Sequence, residues 1–418
     1  MTIFVSIAAY RDPELGPTIE DCLRKARRPE DLRFGVCWQH GPGEAAPPRI
    51  GGRLRLKAVP WQESGGACWA RAECMKLWEG EDFFLQIDSH HRFAEHWDAV
   101  LLDQAERTGA AKPLLTAYAP VYDPRAPLPV TDFPTFMRLD RFSAEGVPLY
   151  QFAAIPEGRR NGEPIRARFV SAHLLFTLGR FVSDVPYDPE LYFIGEEISL
   201  AVRAFTHGYD LFHPGAHVLW HEYTRNGRPK HWDDHVAGAD VPRPWHELDK
   251  ASLERVQRLL TRPEVGPLGL GPERTLGAYE AYAGLNLRLR RASRAARLGD
   301  EPAAPAAERP TQNSAWIVRC ELDRSALEPA ALDRPLFWYV GFHDAGGEEI
   351  ARDDADRLEL LKVLSEPGDR IVLERSFLSP RPPASWTIWP TDRFGRWQER
   401  IRRPIADPAT AALAGASA

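Results

Sequence analysis

Asp88-Ser89-His90 closes a short hydrophobic run, Phe83–Ile87. Residues i and i+2 of an extended segment project to the same side, so Asp88 and His90 can reach one ion while Ser89 points away. A carboxylate oxygen with an imidazole nitrogen leans towards Mn²⁺ over Ca²⁺ and leaves Mg²⁺ open. Open α/β sheets collect ligands outside the carboxyl ends of their strands. A cation there would bind a diphosphate and neutralise charge as that group leaves. The tripeptide also reads as a plain strand-end turn with a capping Asp, and the adjoining His91 is an alternative ligand.

A second histidine, in Trp220-His221-Glu222-Tyr223, ends the apolar run His217–Trp220. Strand ends meet at one edge of such a sheet, so His221 can complete the metal shell. The zinc-protease motif H-E-x-x-H fails, because position 225 holds Arg225. Phe193-Ile194-Gly195-Glu196-Glu197 leads into a helical pattern reaching Phe205. Paired acids in a first helical turn complement the macrodipole. One of them could instead steady an oxocarbenium-like transition state or orient an attacking hydroxyl.

Arg71 and Arg11 are candidates for anion contacts, since a guanidinium meets phosphate through paired hydrogen bonds. Tyr10-Arg11-Asp12-Pro13 leaves the first strand just past Ala8, where a nucleotide base can be read by stacking and edge contacts. Ordinary surface ion pairs explain either arginine equally simply. Gly65-Gly66 is no phosphate loop, lacking the Gly-Lys-[Ser/Thr] ending.

The elements that must position these residues alternate between strand and helix signals, which favours a largely parallel α/β sheet. Strand-like runs cover Ile3–Ala8, Arg33–Trp38, Arg53–Val59, Phe83–Ile87, Leu114–Tyr118 and Arg168–Thr177. Helical stripes cover the stretch from Leu15 to Ala26, then Trp69–Trp78, Glu95–Arg107, Glu196–Phe205, Ala251–Leu260 and Glu273–Arg297. Short strands are expected at Asp210–His213 and His217–Trp220, and Pro120–Pro164 reads as a long proline-rich excursion without a period. Residues 301–313 form a Pro/Ala-rich linker. Beyond it, separated runs at Ala315–Leu322, Leu336–Phe342, Arg370–Leu378 and Trp386–Trp389 predict a small β domain, a sandwich, over 314–405, with a frayed tail at 406–418. Trp316, Trp338, Trp386, Trp389 and Trp397 belong mostly to its core, with a carbohydrate-stacking surface as the other use for them.

The chain has 418 residues and a formal net charge of -6, which gives no reason to expect nucleic acid as a partner. No signal peptide or membrane span is expected, and the five cysteines form no CxxC pair. The expectation is a cytoplasmic protein; homo-oligomerisation stays open.

SIAAYRDPEL, ARAECMKLWEGEDFFLQIDSHHRF, GEEISLAVRAFTHGYDLFHP and GPERTLGAYEAYAGL form ordered blocks between Met1 and Leu289. Together they resemble the cytoplasmic UDP-GlcNAc:hydroxyproline polypeptide GlcNAc-transferases and their bacterial relatives. Asp88/His90, His221, the basic Arg71 and Phe193–Glu196 are more distantly similar to the pattern of the mucin-type polypeptide GalNAc-transferases, with Phe193 in place of their Trp. The resemblance implies a GT-A glycosyltransferase domain over 1–300, a UDP-sugar donor (GlcNAc being the usual sugar), a divalent metal and retention at the anomeric carbon. Asp88, His90 and His221 would hold the cation. Ala8, Tyr10, Arg11, Arg71 and Asp88 would lie on the donor side, and Glu196 or Glu197 would act on sugar or acceptor. The acceptor would be a hydroxyl of protein or glycan. A nucleotidyltransferase on a related sheet would carry a Gly-rich loop with a basic residue where AAYRDPE stands. A non-catalytic saccharide-binding protein would have no use for three metal ligands at separate strand ends.

Overall fold

The computed structural model describes residues 1–129, 133–225, 227–261, 266–305, 314–379, 381–405 and 409–410. The chain forms two compact units that part between residues 305 and 314.

The first unit opens with β1 (Ile3–Tyr10), α1 (Leu15–Lys25), β2 (Leu32–His40), β3 (Leu54–Pro60), α2 (Ala67–Met75) and β4 (Phe83–Asp88). It continues through β5 (His91–Phe93), α3 (Trp97–Arg107), β6 (Pro113–Thr116), β7 (Thr135–Phe142), β8 (Pro148–Ala154), β9 (Ile165–Arg166) and β10 (Leu174–Leu178). Next come α4 (Phe181–Asp184), α5 (Glu196–Thr206), β11 (Asp210–His213), β12 (Leu219–His221), α6 (His231–Asp234) and α7 (Trp245–Thr261). It ends with α8 (Leu276–Ala283), β13 (Leu285–Asn286), β14 (Arg291–Ala292) and α9 (Arg294–Leu298).

Among the described residues the main sheet has the order β3-β2-β1-β4-β10-β6-β11-β9. β3, β2, β1 and β4 are parallel, whereas β10 runs antiparallel to both β4 and β6. Successive β1 side chains serve opposite faces, as the period of two requires. Phe4 packs with Phe84, Leu175 and Leu200, while Ile3, Val5 and Ile7 pack with Leu15, Ile19 and Trp97. Burial on both faces is why these strands read as nearly continuous apolar runs. The order turns at β1, which has β2 on one side and β4 on the other, and Ala8 lies level with Asp88. That is the switch point at which an open α/β sheet leaves a crevice.

Four segments depart from expectation, the first being the strand expected over Arg168–Thr177, which begins only at Leu174 as β10. The region predicted as one helix over Glu273–Arg297 is broken: Gly284, with φ of 70°, ends α8, and the β13–β14 pair follows. The Pro120–Pro164 excursion contains the paired strands β7 and β8; Met137 and Leu139 of β7 and Val147 just before β8 are buried, and residues 130–132 lie outside the described ones. The strand expected at His217–Trp220 is shifted to β12, so His221 lies inside a ladder, opposite His91.

The second unit comprises β15 (Ser314–Asp323), α10 (Pro329–Leu332), β16 (Trp338–His343), β17 (Glu349–Arg352), α11 (Arg357–Ser365), β18 (Arg370–Ser379), β19 (Ser385–Pro390), β20 (Ile401–Pro404) and β21 (Ala409–Thr410). Its sheets, β18-β15-β21 and β17-β16-β19-β20, are antiparallel and share one core, which includes Trp316, Trp338, Leu360, Leu373 and Trp386. Trp397 is exposed instead. Most of the linker expected at 301–313, and all of the tail expected at 406–418 except 409–410, lie outside the described residues.

Gly195 stands before α5 with φ of 96°, and a Cβ there would lie 2.5 Å from Val256 Cγ2. Gly195→Ala is therefore expected to destabilise the chain by about 1–3 kcal/mol, through backbone strain and overpacking together. Urea unfolding measures this; a loss within the ~0.5 kcal/mol typical of neutral surface changes would contradict the packing described.

Candidate active site

β4 delivers Asp88 to the sheet edge, and the turn after it is pinned from α1. Thr18 Oγ1 donates to the Ser89 carbonyl at 2.8 Å and accepts from the His91 amide at 3.0 Å. Ser89 turns towards Asp12, donating to Oδ2 at 2.8 Å. Ser89 therefore does not point away, as the spacing suggested: it lines the same cavity as His90, whose Nδ1 meets the same Asp12 oxygen and whose Nε2 lies 3.8 Å from Asp88 Oδ2. β12 pairs with β5 and brings His221 Nε2 to 3.1 Å from the same oxygen. One ligand atom from each of Asp88, His90 and His221 lies within 4.8 Å of the others.

His91 stays outside this cluster, its Nδ1 3.1 Å from the Asp88 carbonyl. Burial pushes its pKa down to about 3, so the ring is neutral at ordinary pH. His221 is likewise held at about 3 by burial, against the pull of Asp88. His221 Nδ1 is buried with no hydrogen-bond partner, so this ring has an unsatisfied side in the protein alone.

Asp12 sets the state of His90. Its Oδ2 lies 2.7 Å from His90 Nδ1, and Arg228 pairs with its other oxygen. Burial raises the Asp12 pKa, but the His90 hydrogen bond and the charges of His90 and Arg228 outweigh it and bring it to about 2. An ionised carboxylate only accepts, so Nδ1 carries a hydrogen and Nε2 is the nitrogen that faces Asp88.

Arg71, on α2, is only 4% exposed and bridges two acids. Nη2 lies 2.6 Å from Asp88 Oδ1 and Nε lies 2.7 Å from Glu196 Oε1. Burial alone would raise the Asp88 pKa; Arg71 and the His221 hydrogen bond hold it well below the usual carboxylate range. Glu196 also accepts from the Tyr187 hydroxyl at 2.7 Å, so burial and Arg71 oppose each other there, and burial leaves its pKa raised. Glu197 differs. It accepts from Tyr118 at 2.5 Å and from the Ala172 amide at 3.0 Å, yet burial lifts it to about 7.

These groups line a cavity of about 620 Å³, within the ~300–1,000 Å³ range of ligand pockets. Ala8, Tyr10, Arg71, Asp88, His90, Glu196, Glu197 and His221 all reach it. Arg11 does not; it pairs with Glu44 and Asp234 at 3.1 and 2.9 Å. Tyr10 turns its hydroxyl to Asp234 at 2.8 Å. Exposed Phe152, Phe193, Ile194 and Tyr223 give the mouth an apolar rim.

Sequence reasoning missed His173, which lines the cavity and stacks on His221 with ring centroids 4.4 Å apart. Its Nε2 accepts from the Ala119 amide at 3.0 Å. The signal was present as Ser171-x-His173, but a parallel reading sends the start of that strand to the far edge. Because β10 is antiparallel to β4, with Leu174 opposite Ile87, His173 lands beside Asp88.

The model of the glycosyltransferase (GlcNAc) family matches residues 2–52 and 43–271. The chain belongs to that family. The match falls on its α/β unit, which precedes a small β unit in the chain. Among solved structures, the chain is similar to GalNAc-T7, crystallised with UDP, GalNAc and Mn²⁺, at 13% identity over 62% of this chain and 50% of that one, with a TM-score of 0.43. It is similar too to S. aureus TarS 1–349 in complex with UDP-GlcNAc, at 12% identity over 62% of this chain and 72% of that one, with a TM-score of 0.35. The chain thus spans half the length of the GalNAc-T7 chain. No curated protein matches it. Among the described residues, no helix is long and apolar enough to cross a membrane.

The Glu197 pKa has a consequence for stability. An acid at about 7 when folded, against the ordinary 4.5 of a glutamate, binds more proton in the folded state between those values. Its contribution is therefore favourable at low pH and is lost as pH rises towards 7. In metal-free buffer, Glu197→Gln should gain stability relative to the parent chain at pH 8 compared with pH 5, by urea unfolding. An identical difference at both pH values would show that this carboxyl does not titrate in that window.

Proposed function

We propose that this family member transfers a sugar, GlcNAc first, from a UDP-sugar to a hydroxyl acceptor with retention at the anomeric carbon, using a divalent cation held by Asp88, His90 and His221. The observation that carries the reading is the convergence of these three ligand atoms within 4.8 Å on the cavity wall. The donor set, one oxygen and two nitrogens, suits Mn²⁺, with Mg²⁺ as the alternative. The hydrogen bond of His90 Nδ1 to Asp12, which leaves Nε2 towards Asp88, also fits ligation. When bound, the cation would neutralise charge on the leaving diphosphate.

The residues of the chain have separable tasks in this reading. Arg71 keeps Asp88 ionised and aimed, and contributes positive charge beside the diphosphate. Glu196 is committed to Arg71 and Tyr187, so it acts as a positioning residue. Glu197 is the acid left to face sugar or acceptor, where its carboxyl can hold the acceptor hydroxyl or steady positive charge on the ring. With retention, the acceptor can attack from the face the diphosphate leaves, and a phosphate oxygen takes its proton. Ala8 and Tyr10 flank the nucleotide. The apolar rim suits an acceptor, protein or glycan, whose hydroxyl sits on a less polar body.

Calorimetric titration of UDP in Mn²⁺ tests the reading. The parent chain should bind UDP with Mn²⁺ and lose affinity in EDTA, whereas Asp88→Asn should show no metal-dependent binding while keeping its circular dichroism. Asp12→Asn, which leaves all three ligands in place, should weaken Mn²⁺ affinity by about 10–100-fold. Unchanged metal-dependent UDP binding in Asp88→Asn would refute the assignment.

A further inference from the structure

The second unit carries a built surface that the transferase reading does not use. In the sheet β17-β16-β19-β20, Trp338, Val340, Phe342, Trp386 and Ile388 enter the core. The alternate residues therefore form the outer face. Across it, Tyr339 pairs with Trp389, and Arg352, Gly341, Thr387 and Arg402 form one row. A Cβ on Gly341 would lie 2.0 Å from the Tyr339 hydroxyl oxygen, so glycine is what lets that ring lie along the sheet. The result is a cavity of about 250 Å³.

We infer that this cavity binds an acidic saccharide, through stacking on Trp389 and Trp397 and ion pairing with Arg400 and Arg402. The two indoles pack on each other with ring centroids 4.5 Å apart at 33°, the Arg400 guanidinium lies 5.7 Å from the Trp389 centroid, and Trp397 is 45% exposed and offers its remaining face. Trp389 is fixed by its Nε1–H, which donates to the Gln398 carbonyl at 2.9 Å. Arg402 is braced by two hydrogen bonds to Ser385 Oγ, at 3.0 and 2.8 Å. Arg352 has its charge met by Asp354, but among the described residues neither Arg400 nor Arg402 has a carboxylate partner. No acid lines the cavity, and neither ring nitrogen of His343, which does, meets a hydrogen-bond partner.

Each feature selects chemistry. A pyranose offers a C–H face to an indole and hydroxyls to directional donors, while paired guanidinium groups favour a carboxylate, sulfate or phosphate on it. Aromatic and arginine side chains also suit single-stranded nucleic acid. That occupant is disfavoured because the cavity is a compact hollow, with no long basic groove tracking a backbone, and the chain is net negative at -6. The inference does not depend on the donor site in the other unit.

The test is a titration of the full chain, followed by tryptophan fluorescence, with four probes: a trigalacturonate, a sulfated heparin tetrasaccharide, neutral maltotetraose and an oligo-dT. One acidic saccharide should bind, weakening as salt is added, and maltotetraose and oligo-dT should bind at least tenfold less tightly. The two acidic probes separate carboxylate from sulfate as the preferred group. Arg402→Ala and Trp397→Ala, both exposed positions, should each weaken binding about tenfold, the equivalent of one charge-assisted contact. Mn²⁺-dependent UDP binding by the same variants should be unchanged. Failure of both acidic saccharides to bind, equal binding of oligo-dT, or full affinity in the variants would overturn the inference.

Discussion

The first unit's chemistry depends on keeping one carboxylate ionised where burial opposes it. Asp88 lies at the end of a buried strand, and desolvation alone would favour its neutral form. Arg71 reverses that balance, and Arg71 is itself held in a 4%-exposed position by Glu196. Breaking such a buried pair leaves an uncompensated charge, which costs far more than a surface ion pair. The carboxylate, guanidinium and second carboxylate therefore act together, tying β4, α2 and α5 to one point. Asp12 does for His90 what Arg71 does for Asp88, by fixing the form in which it is presented.

This interlock explains why the two glutamates at the start of α5 are not equivalent. Both occupy a first turn, where a macrodipole argument treats them alike. Glu196 faces Arg71 and Tyr187, whereas Glu197 faces Tyr118 and the Ala172 amide, with no ion pair to a cation among the described residues. One is thereby fastened to the scaffold. The other keeps a pKa of about 7.

Much of this arrangement was legible in the sequence, for identifiable reasons. Asp88 and His90 could be grouped by their spacing, although β4 ends at Asp88 and a bend pinned by Thr18 and Asp12, not the strand period, brings His90 Nε2 to 3.8 Å from Asp88 Oδ2. The two-sided burial of β1 and β4 made both strands readable as apolar runs. His173 was hidden because strand direction is not written locally: β10 reverses against β4, and only that reversal brings its first residues to the site. Arg11 lies outside the cavity for a related reason, since its partner Asp234 comes from α6, more than 200 residues away in the chain. The run from Glu273 to Arg297 kept a helical stripe through a glycine whose left-handed backbone ends the helix, and periodicity alone does not register that stop.

The central claim is that the Asp88 cluster supports metal-dependent use of a UDP-sugar. It is tested most directly by measuring UDP release from a panel of UDP-sugars, with Mn²⁺ and with EDTA. The account predicts turnover of one donor, UDP-GlcNAc first, in Mn²⁺, with loss of that turnover in EDTA. Turnover that persists undiminished in EDTA, or silence across the panel with UDP binding also absent, would contradict it.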